Sequence, residues 1–180
     1  AVAIRQALTD TLTGLANRAA VLQRLQQLAD VPNFPTAPPA LVYLDLDGFK
    51  SVNDSQGHAA GDRILRELGQ RLQDERPDDF VARMGGDEFI VLLQDVADPD
   101  EVRRIANSLI GVIGQPCAAR DGEQFTLTAS AGVTLVQAGD DPMECIARAD
   151  FAVYRAKELG RSRVETYDER FEAGEEPESF

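Results

Sequence analysis

The sequence predicts an α/β (α+β) domain built on a mixed or antiparallel central sheet. Ala40 to Leu46 is apolar at nearly every position, as in a central strand covered on both faces. Two further apolar runs, Phe80–Met84 and Phe89–Leu93, flank Gly85-Gly86-Asp87-Glu88 and read as one β-hairpin. Helical segments stand around these strands. Because the hairpin interrupts any regular alternation of strand and helix, a doubly wound parallel sheet fits badly.

At 180 residues the chain has the size of a single domain, large enough to bury a core without disulfides. Cys117 and Cys145 fall in different segments without metal-ligand spacing and read as reduced packing residues of a cytosolic protein. No apolar run reaches the length of a membrane span, and the N-terminus lacks a basic-then-apolar signal pattern. Direct membrane contact is therefore not expected. The start at Ala1 rather than Met implies a fragment of a longer polypeptide. The formal net charge is −13, from 31 acidic and 18 basic residues, which argues against nucleic acid as a partner. A small phosphate ligand remains compatible with this field if divalent cations and local basic side chains offset it.

Taken in order, Ala1 to Leu8 has helical character and leads into a structured turn, Asp10-Thr11-Leu12-Thr13-Gly14-Leu15-Ala16-Asn17-Arg18. Asn17 is a candidate N-cap for a helix with Leu22, Leu25 and Leu28 on one face, and the stretch from Asp30 to Pro39, with four prolines, ends it as a loop. The strand over 40–46 follows, then room for a short helix at 48–54. After the glycine-punctuated segment Ser55 to Asp62, Ile64, Leu65, Leu68 and Leu72 keep helical spacing from Arg63 to Arg76. Beyond the hairpin, Asp98-Pro99-Asp100-Glu101 and Asp141-Pro142-Met143-Glu144 each combine an N-cap, a proline and an acid in the first turn, and open two more helices. Between them a further pair of strands is expected, 124–130 and 131–137, joined or bulged at Ala131-Gly132. Gly160 stops the last helix, and residues 163–166 add a short edge strand.

Several residues in this frame carry chemistry. Asp45, at the end of an apolar strand, either caps the next turn or binds a cation, and position alone favours the cap. Asp47 is expected to point to the opposite side and to act as a cap. The sole histidine, His58, sits between glycines with no nucleophile nearby and reads as a structural hydrogen-bonder. Lys157 and Arg161 stand one turn apart at a helix end, where they complement its dipole or reach a phosphate. The dipole is the default. Asp87 and Glu88 share the hairpin tip, and such a pair calls for a cation. If the hairpin neighbours the strand of Asp45, these carboxylates meet at one sheet edge, the arrangement that metal-assisted phosphoryl or nucleotidyl transfer requires.

The sequence resembles the diguanylate cyclase, or GGDEF-domain, family from Asp10 to about Arg163. The resemblance rests on Asp10-x-Leu12-Thr13-Gly14-Leu15-x-Asn17-Arg18, on Asp45-x-Asp47-x-Phe49-Lys50-x-x-Asn53-Asp54-x-x-Gly57-His58-x-x-Gly61-Asp62, and on Gly85-Gly86-Asp87-Glu88-Phe89. Ser130-Ala131-Gly132-Val133 and Ala149-Asp150-x-Ala152-x-Tyr154-x-Ala156-Lys157-x-x-Gly160-Arg161 complete it. It implies a palm-like, nucleotide-cyclase-type fold over residues 10–166, preceded at 1–9 by the end of a linker or signalling helix and followed at 167–180 by an acidic tail or linker. The implied reaction condenses two GTP molecules into cyclic di-GMP and pyrophosphate across a two-fold homodimer. By matching position, Asp45, Asp87, Glu88 and the Leu46 carbonyl surround two Mg²⁺ ions, with Mn²⁺ as a substitute, and Lys50 joins the acids in catalysis. Asn53 and Asp62 fit guanine-reading positions. Lys50, Lys157, Arg161 and the main chain at Gly48 and Phe49 match phosphate contacts, while Gly85 and Gly86 leave room for the nucleotide. Arg76 and Asp79 stand at the spacing of the family's product-inhibition motif, with cyclic di-GMP as the inhibitor. The secondary arginine of that motif has no clear match, since Ser108 falls near its place with Arg103 and Arg104 close by.

Fused sensor or output domains and a bacterial cytoplasm belong to the same implication. The alternative is a weak or inactive GGDEF module that binds GTP or cyclic di-GMP and regulates a fused domain such as a cyclic di-GMP phosphodiesterase. Adenylate cyclase or polymerase-like activity is disfavoured by Asn53 and Asp62, because a carboxylate there accepts from two donors that adenine lacks.

Overall fold

The computed structural model describes residues 7–34, 37–96, 98–119, 122 and 124–168. Most of the expected N-terminal helix and all of the tail beyond Asp168 lie outside the described residues. The elements are α1 (Arg18–Ala29), β1 (Ala40–Asp47), α2 (Phe49–Gln56), α3 (His58–Glu75), β2 (Phe80–Gly85), β3 (Glu88–Leu93), α4 (Pro99–Ile113), β4 (Cys117–Ala118), β5 (Gln124–Phe125), β6 (Thr128–Leu135), α5 (Pro142–Glu158) and β7 (Val164–Thr166). Five strands form one sheet in the order β2-β3-β1-β6-β7. β1 is central and antiparallel to both neighbours, and β7 joins β6 in parallel at the edge.

Period-two alternation along the strands divides the core into two layers. Val42, Leu44, Leu46, Phe89 and Val91 pack with Ile64, Leu68 and Leu72 of α3 and Ala106 and Leu109 of α4. Leu41, Tyr43, Ile90 and Leu92 face Val21 and Leu25 of α1 and Ile146, Ala149 and Val153 of α5. The helix starts follow the capping pattern. Asn17 Oδ1 accepts from the Ala20 N–H at 3.1 Å, and Asp98 and Asp141 accept from the first turns of α4 and α5, each ahead of a proline at the start. A Schellman ending closes α5: the Gly160 N–H donates to the Lys157 carbonyl and the Arg161 N–H to the Ala156 carbonyl.

Several expectations are corrected. The second strand pair is one continuous strand, β6, and the shorter β5 before it pairs instead with β4. Gly132 is no bulge. It sits inside β6 because α5 lies directly against it: a Cβ there would stand 2.1 Å from the Ala149 carbonyl oxygen and 2.6 Å from the Val153 nitrogen. The long helix starts at His58 rather than Arg63, since Gly57 alone makes the break from α2 and Gly61 is helical. Asp47 does not cap. β1 runs through it, so it shares a face with Asp45, and the N-cap of α2 is Gly48, with φ 72° and no side-chain bond. His58 is exposed at the start of α3.

At the far end of the sheet Arg148 of α5 grips Asp140, at 2.5 Å to Oδ2 and 3.2 Å to Oδ1, and also reaches Thr134 Oγ1 and the Leu135 carbonyl. Burial alone would raise the Asp140 carboxyl, but Arg148 and the Gln137 N–H outweigh it and hold it below its ordinary value. The unfolded chain therefore binds this proton more readily. The resulting stability is present above about pH 4 and is lost as pH falls further. Asp140→Asn is expected to cost about 1–3 kcal/mol at neutral pH. In urea melts the gap between variant and parent should narrow towards pH 3; a constant gap would refute the ion-pair account.

Candidate functional site

The register of β1 against β3 places Asp45 directly opposite Glu88, and the hairpin turn that carries Asp87 closes beside them. The Leu46 N–H donates to the Asp87 main-chain carbonyl at 3.2 Å, which ties the turn to the end of β1. Gly85 and Gly86 have φ of 134° and 52°, conformations that a side chain would strain, and the pairing of β2 with β3 shifts register between Arg83 and Gly85. A Cβ on either glycine would meet nothing within 4 Å, so the space over the turn is open.

Like charges directly opposite on neighbouring strands are unfavourable, and here burial adds to that cost by disfavouring both charged carboxylates. Burial, then the Asp87 charge, pushes the Asp45 carboxyl up, against the pull of Lys157, whose Nζ lies 3.0 Å from Asp45 Oδ2. Burial and the charges of Asp45, Asp150 and Asp87 push Glu88 up, opposed by a hydrogen bond with Tyr43. The buried Tyr43 hydroxyl is raised in turn by burial and by Glu88.

On the other side of the turn an open cleft of about 340 Å³ is lined by Phe49, Lys50, Asn53, Asp62, Leu65, Arg83, Gly86 and Asp87. α2 supplies Asn53 and Lys50, and α3 supplies Asp62. The two helices meet at Gly61, where a Cβ would stand 1.9 Å from Asn53 Oδ1. Arg83 braces the hairpin: its Nε and a terminal nitrogen donate to the Gly86 carbonyl at 3.0 and 2.8 Å, and its other terminal nitrogen pairs with Asp10 Oδ1 at 2.9 Å. Asp10 is itself held by the Thr13 N–H and hydroxyl.

Lys157 leaves its own helix end and reaches the acids, so the dipole default does not describe it. Arg161 is exposed in the loop after α5, where Arg161 and Ser162 take left-handed φ of 64° and 49° at a cost of about 1–3 kcal/mol each. Gly48, Phe49 and Leu46 flank the start of α2 as the sequence places them. Arg76 and Asp79 stand apart from this group, after α3, and pair with each other at 2.5 Å. The Ser108 hydroxyl, on α4, donates to Glu75.

Two carboxylates face each other, with a third on the adjoining turn, all hard oxygen donors. Among the described residues no three carboxylate, imidazole or thiolate groups come together as a set that could hold a metal ion by themselves. That donor set suits Mg²⁺, which keeps waters and completes its shell on substrate phosphates. Reading the residues alone left out Arg83, Asp10, Tyr43 and Asp150. A lone arginine in an apolar strand beside the glycine pair, and a tyrosine two residues before Asp45, were the available signals.

The family model described as "Diguanylate cyclase, GGDEF domain" matches residues 7–163. The probable diguanylate cyclase DgcE of Escherichia coli is 42% identical over 161 residues, covering 88% of this chain and 14% of that protein. The diguanylate cyclase DgcP of Pseudomonas aeruginosa is 41% identical over 165 residues, covering 89% of this chain and 24% of that protein. The chain thus spans about a quarter or less of these two relatives. Among solved structures, the coiled coil and GGDEF domain of DgcB from Caulobacter crescentus, in complex with c-di-GMP, superposes with a TM-score of 0.83 at 29% identity, covering 92% of this chain and 88% of that one. With sequence and backbone matching over almost the whole described region, this chain belongs to the GGDEF-domain diguanylate cyclase family.

Proposed function

We propose that this chain condenses two GTP molecules into cyclic di-GMP with release of pyrophosphate. The observation that carries the reading is the junction at the hairpin turn: Asp87 belongs both to the Asn53–Asp62 cleft and to the acid group of Asp45 and Glu88. A guanine held in the cleft therefore leads its phosphates over the turn to the acids. The Asp62 carboxylate accepts from the paired donors of guanine, and the Asn53 side-chain amide supplies a complementary donor and acceptor. Lys50 and the N–H groups at the start of α2 receive phosphate oxygens. Arg161 adds charge from the far side, and Lys157 holds Asp45 in place.

Asp45, Asp87, Glu88 and the Leu46 carbonyl are the groups that would hold Mg²⁺ or Mn²⁺. Bound there, such ions would supply the positive charge that acidifies the attacking hydroxyl and stabilises the departing pyrophosphate. The 3′-oxygen of one GTP bonds to the α-phosphorus of the other as the bond to pyrophosphate breaks, and two such steps close the ring. One described cleft serves one nucleotide, so the second GTP comes from a facing copy in a two-fold dimer. Arg76 and Asp79 form the product-inhibition site, where cyclic di-GMP must compete with their mutual ion pair. Fused domains and a cytoplasmic setting complete the proposal; among the described residues no helix is long and apolar enough to cross a membrane.

The direct test incubates the chain with GTP and Mg²⁺, alone and fused to a dimerising coiled coil, and follows cyclic di-GMP chromatographically. Product from GTP but not ATP is expected, faster in the fusion. Nucleotide binding without turnover in the forced dimer would reject catalysis in favour of a regulatory module. Gly61→Ala tests the cleft. Its Cβ displaces the Asn53 carboxamide, and the KM for GTP is expected to rise about tenfold while the fold survives, since the displaced group is a side-chain end. An unchanged KM would remove Asn53 from guanine recognition.

A further inference from the structure

Asp47 has been given no metal, guanine or phosphate role, yet its carboxylate accepts three hydrogen bonds. Thr128 Oγ1 donates to Oδ2 at 2.7 Å and Ser130 Oγ to Oδ1 at 2.8 Å, both from β6. The Ser162 N–H donates to Oδ2 at 3.3 Å. The first two bonds fix the direction of the carboxylate, and the third carries that fix into the loop between α5 and β7. We propose that Asp47 is a positioning residue: it braces the loop so that Arg161 meets the triphosphate of the bound nucleotide. This inference rests on the cyclase reading for the identity of the nucleotide.

Three features support it. Arg161 and Ser162 are consecutive non-glycine residues in left-handed conformation, a backbone state that persists only when held from outside. The holding bonds are few and local: the Arg161 N–H to the Ala156 carbonyl, the Ser162 N–H to Asp47, and the Arg163 carbonyl receiving the Ala131 N–H. Arg163 Nε adds a bond to the Arg161 carbonyl at 3.5 Å from within the loop, and of these bonds only that of Ser162 reaches a side chain outside the loop, on β1, the strand that carries Asp45. The brace thus references Arg161 to the same strand end as the acids, while Lys157, one turn earlier on α5, already touches Asp45. A carboxylate near a phosphate path would repel it if its lone pairs were free. Here both oxygens are engaged by donors, so Asp47 acts through the loop rather than on the ligand.

The test titrates the full chain calorimetrically with 3′-deoxy-GTP, which cannot turn over, and with guanosine. Asp47→Ala and Arg161→Ala should each weaken 3′-deoxy-GTP about tenfold and leave guanosine within about twofold. The double variant should bind no more weakly than Arg161→Ala alone, because the two act through one contact. Losses that multiply in the double variant, an equal loss for guanosine, or no loss in Asp47→Ala would each overturn the proposal. Should Asp47→Ala fail to fold, Thr128→Val at an exposed position removes one of the fixing bonds. Its expected loss is about threefold, and none in the Arg161→Ala background; any loss in that background overturns the proposal. Hydrogen exchange of the ligand-free chain reads the brace without nucleotide. The 160–163 segment should exchange faster in Asp47→Ala or Thr128→Val, and an unchanged rate would refute the brace. If the unmodified chain binds no guanine nucleotide, the cyclase reading fails while the exchange result still decides the brace.

Discussion

Replacing Asp87 by alanine is expected to abolish cyclic di-GMP formation, by about a thousandfold or more, corresponding to about 4 kcal/mol of lost transition-state stabilisation. The substitution removes the carboxylate at the point where the guanine cleft and the opposed acids meet. It leaves the turn intact, because Leu46 bonds to the main-chain carbonyl of residue 87 and not to its side chain. It also relieves part of the repulsion at Asp45. The melting temperature should therefore stay level or rise as turnover disappears, and guanosine binding in the cleft should persist. Chromatography of the GTP reaction beside a thermal melt reads both. Full turnover in the variant would remove Asp87 from the catalytic group, and a collapsed melting temperature would recast it as a structural residue.

The second large effect belongs to Gly132→Ala. The new Cβ would collide with two main-chain atoms of α5, Ala149 O and Val153 N, and lie 2.9 Å from the Ala152 Cβ. Neither main-chain atom belongs to a flexible side chain that can swing aside. The helix has to lift off the sheet, which costs about 3 kcal/mol or more and lowers the melting temperature by about 6–12 °C. Activity should fall as well, because α5 carries Lys157 to Asp45. Gly111→Ala is the control: it lies in α4 with nothing within 4 Å of its would-be Cβ, and helix propensity favours it by up to about 1 kcal/mol. A Gly132→Ala melting point within 2 °C of the parent would refute the close approach of helix and sheet.

Much of the fold was legible because it is written in local patterns. The all-apolar run of β1 declares a strand covered on both faces, the glycine pair between two apolar runs declares the hairpin, and Asp98-Pro99 and Asp141-Pro142 declare helix starts whose caps the structure contains. The misreadings arose where a residue answers to something distant in sequence. Gly132 looks like a bulge from within its own strand, whereas its reason lies 17 to 21 residues away in α5. Gly61 looks like a break, although it is the point where α2 and α3 touch. Asp47 looks like a cap because aspartate before a helix often is one, yet the strand continues through it and β6 supplies its partners.

The candidate site divides in the same way. Residue chemistry alone named Asp87 and Glu88 as acids in need of a cation, since carboxylates at a tight turn are costly unless compensated, and left Asp45 between a cap and a cation ligand with the cap favoured. The resemblance added the roles of Asn53, Asp62, Lys157 and Arg161. Sequence by itself thus determined the strand and helix inventory, the acidic character of the hairpin tip and the family. Tertiary structure decided which of these residues meet: the register that sets Asp45 against Glu88, the ion pair of Lys157 with Asp45, the Arg83–Asp10 brace, and the three bonds on Asp47. The physical reason is one of range. Propensity, capping and periodicity act over a few residues and leave their mark in adjacent letters, whereas register and helix docking are settled by burying two faces of one sheet at once, and only the folded chain satisfies both.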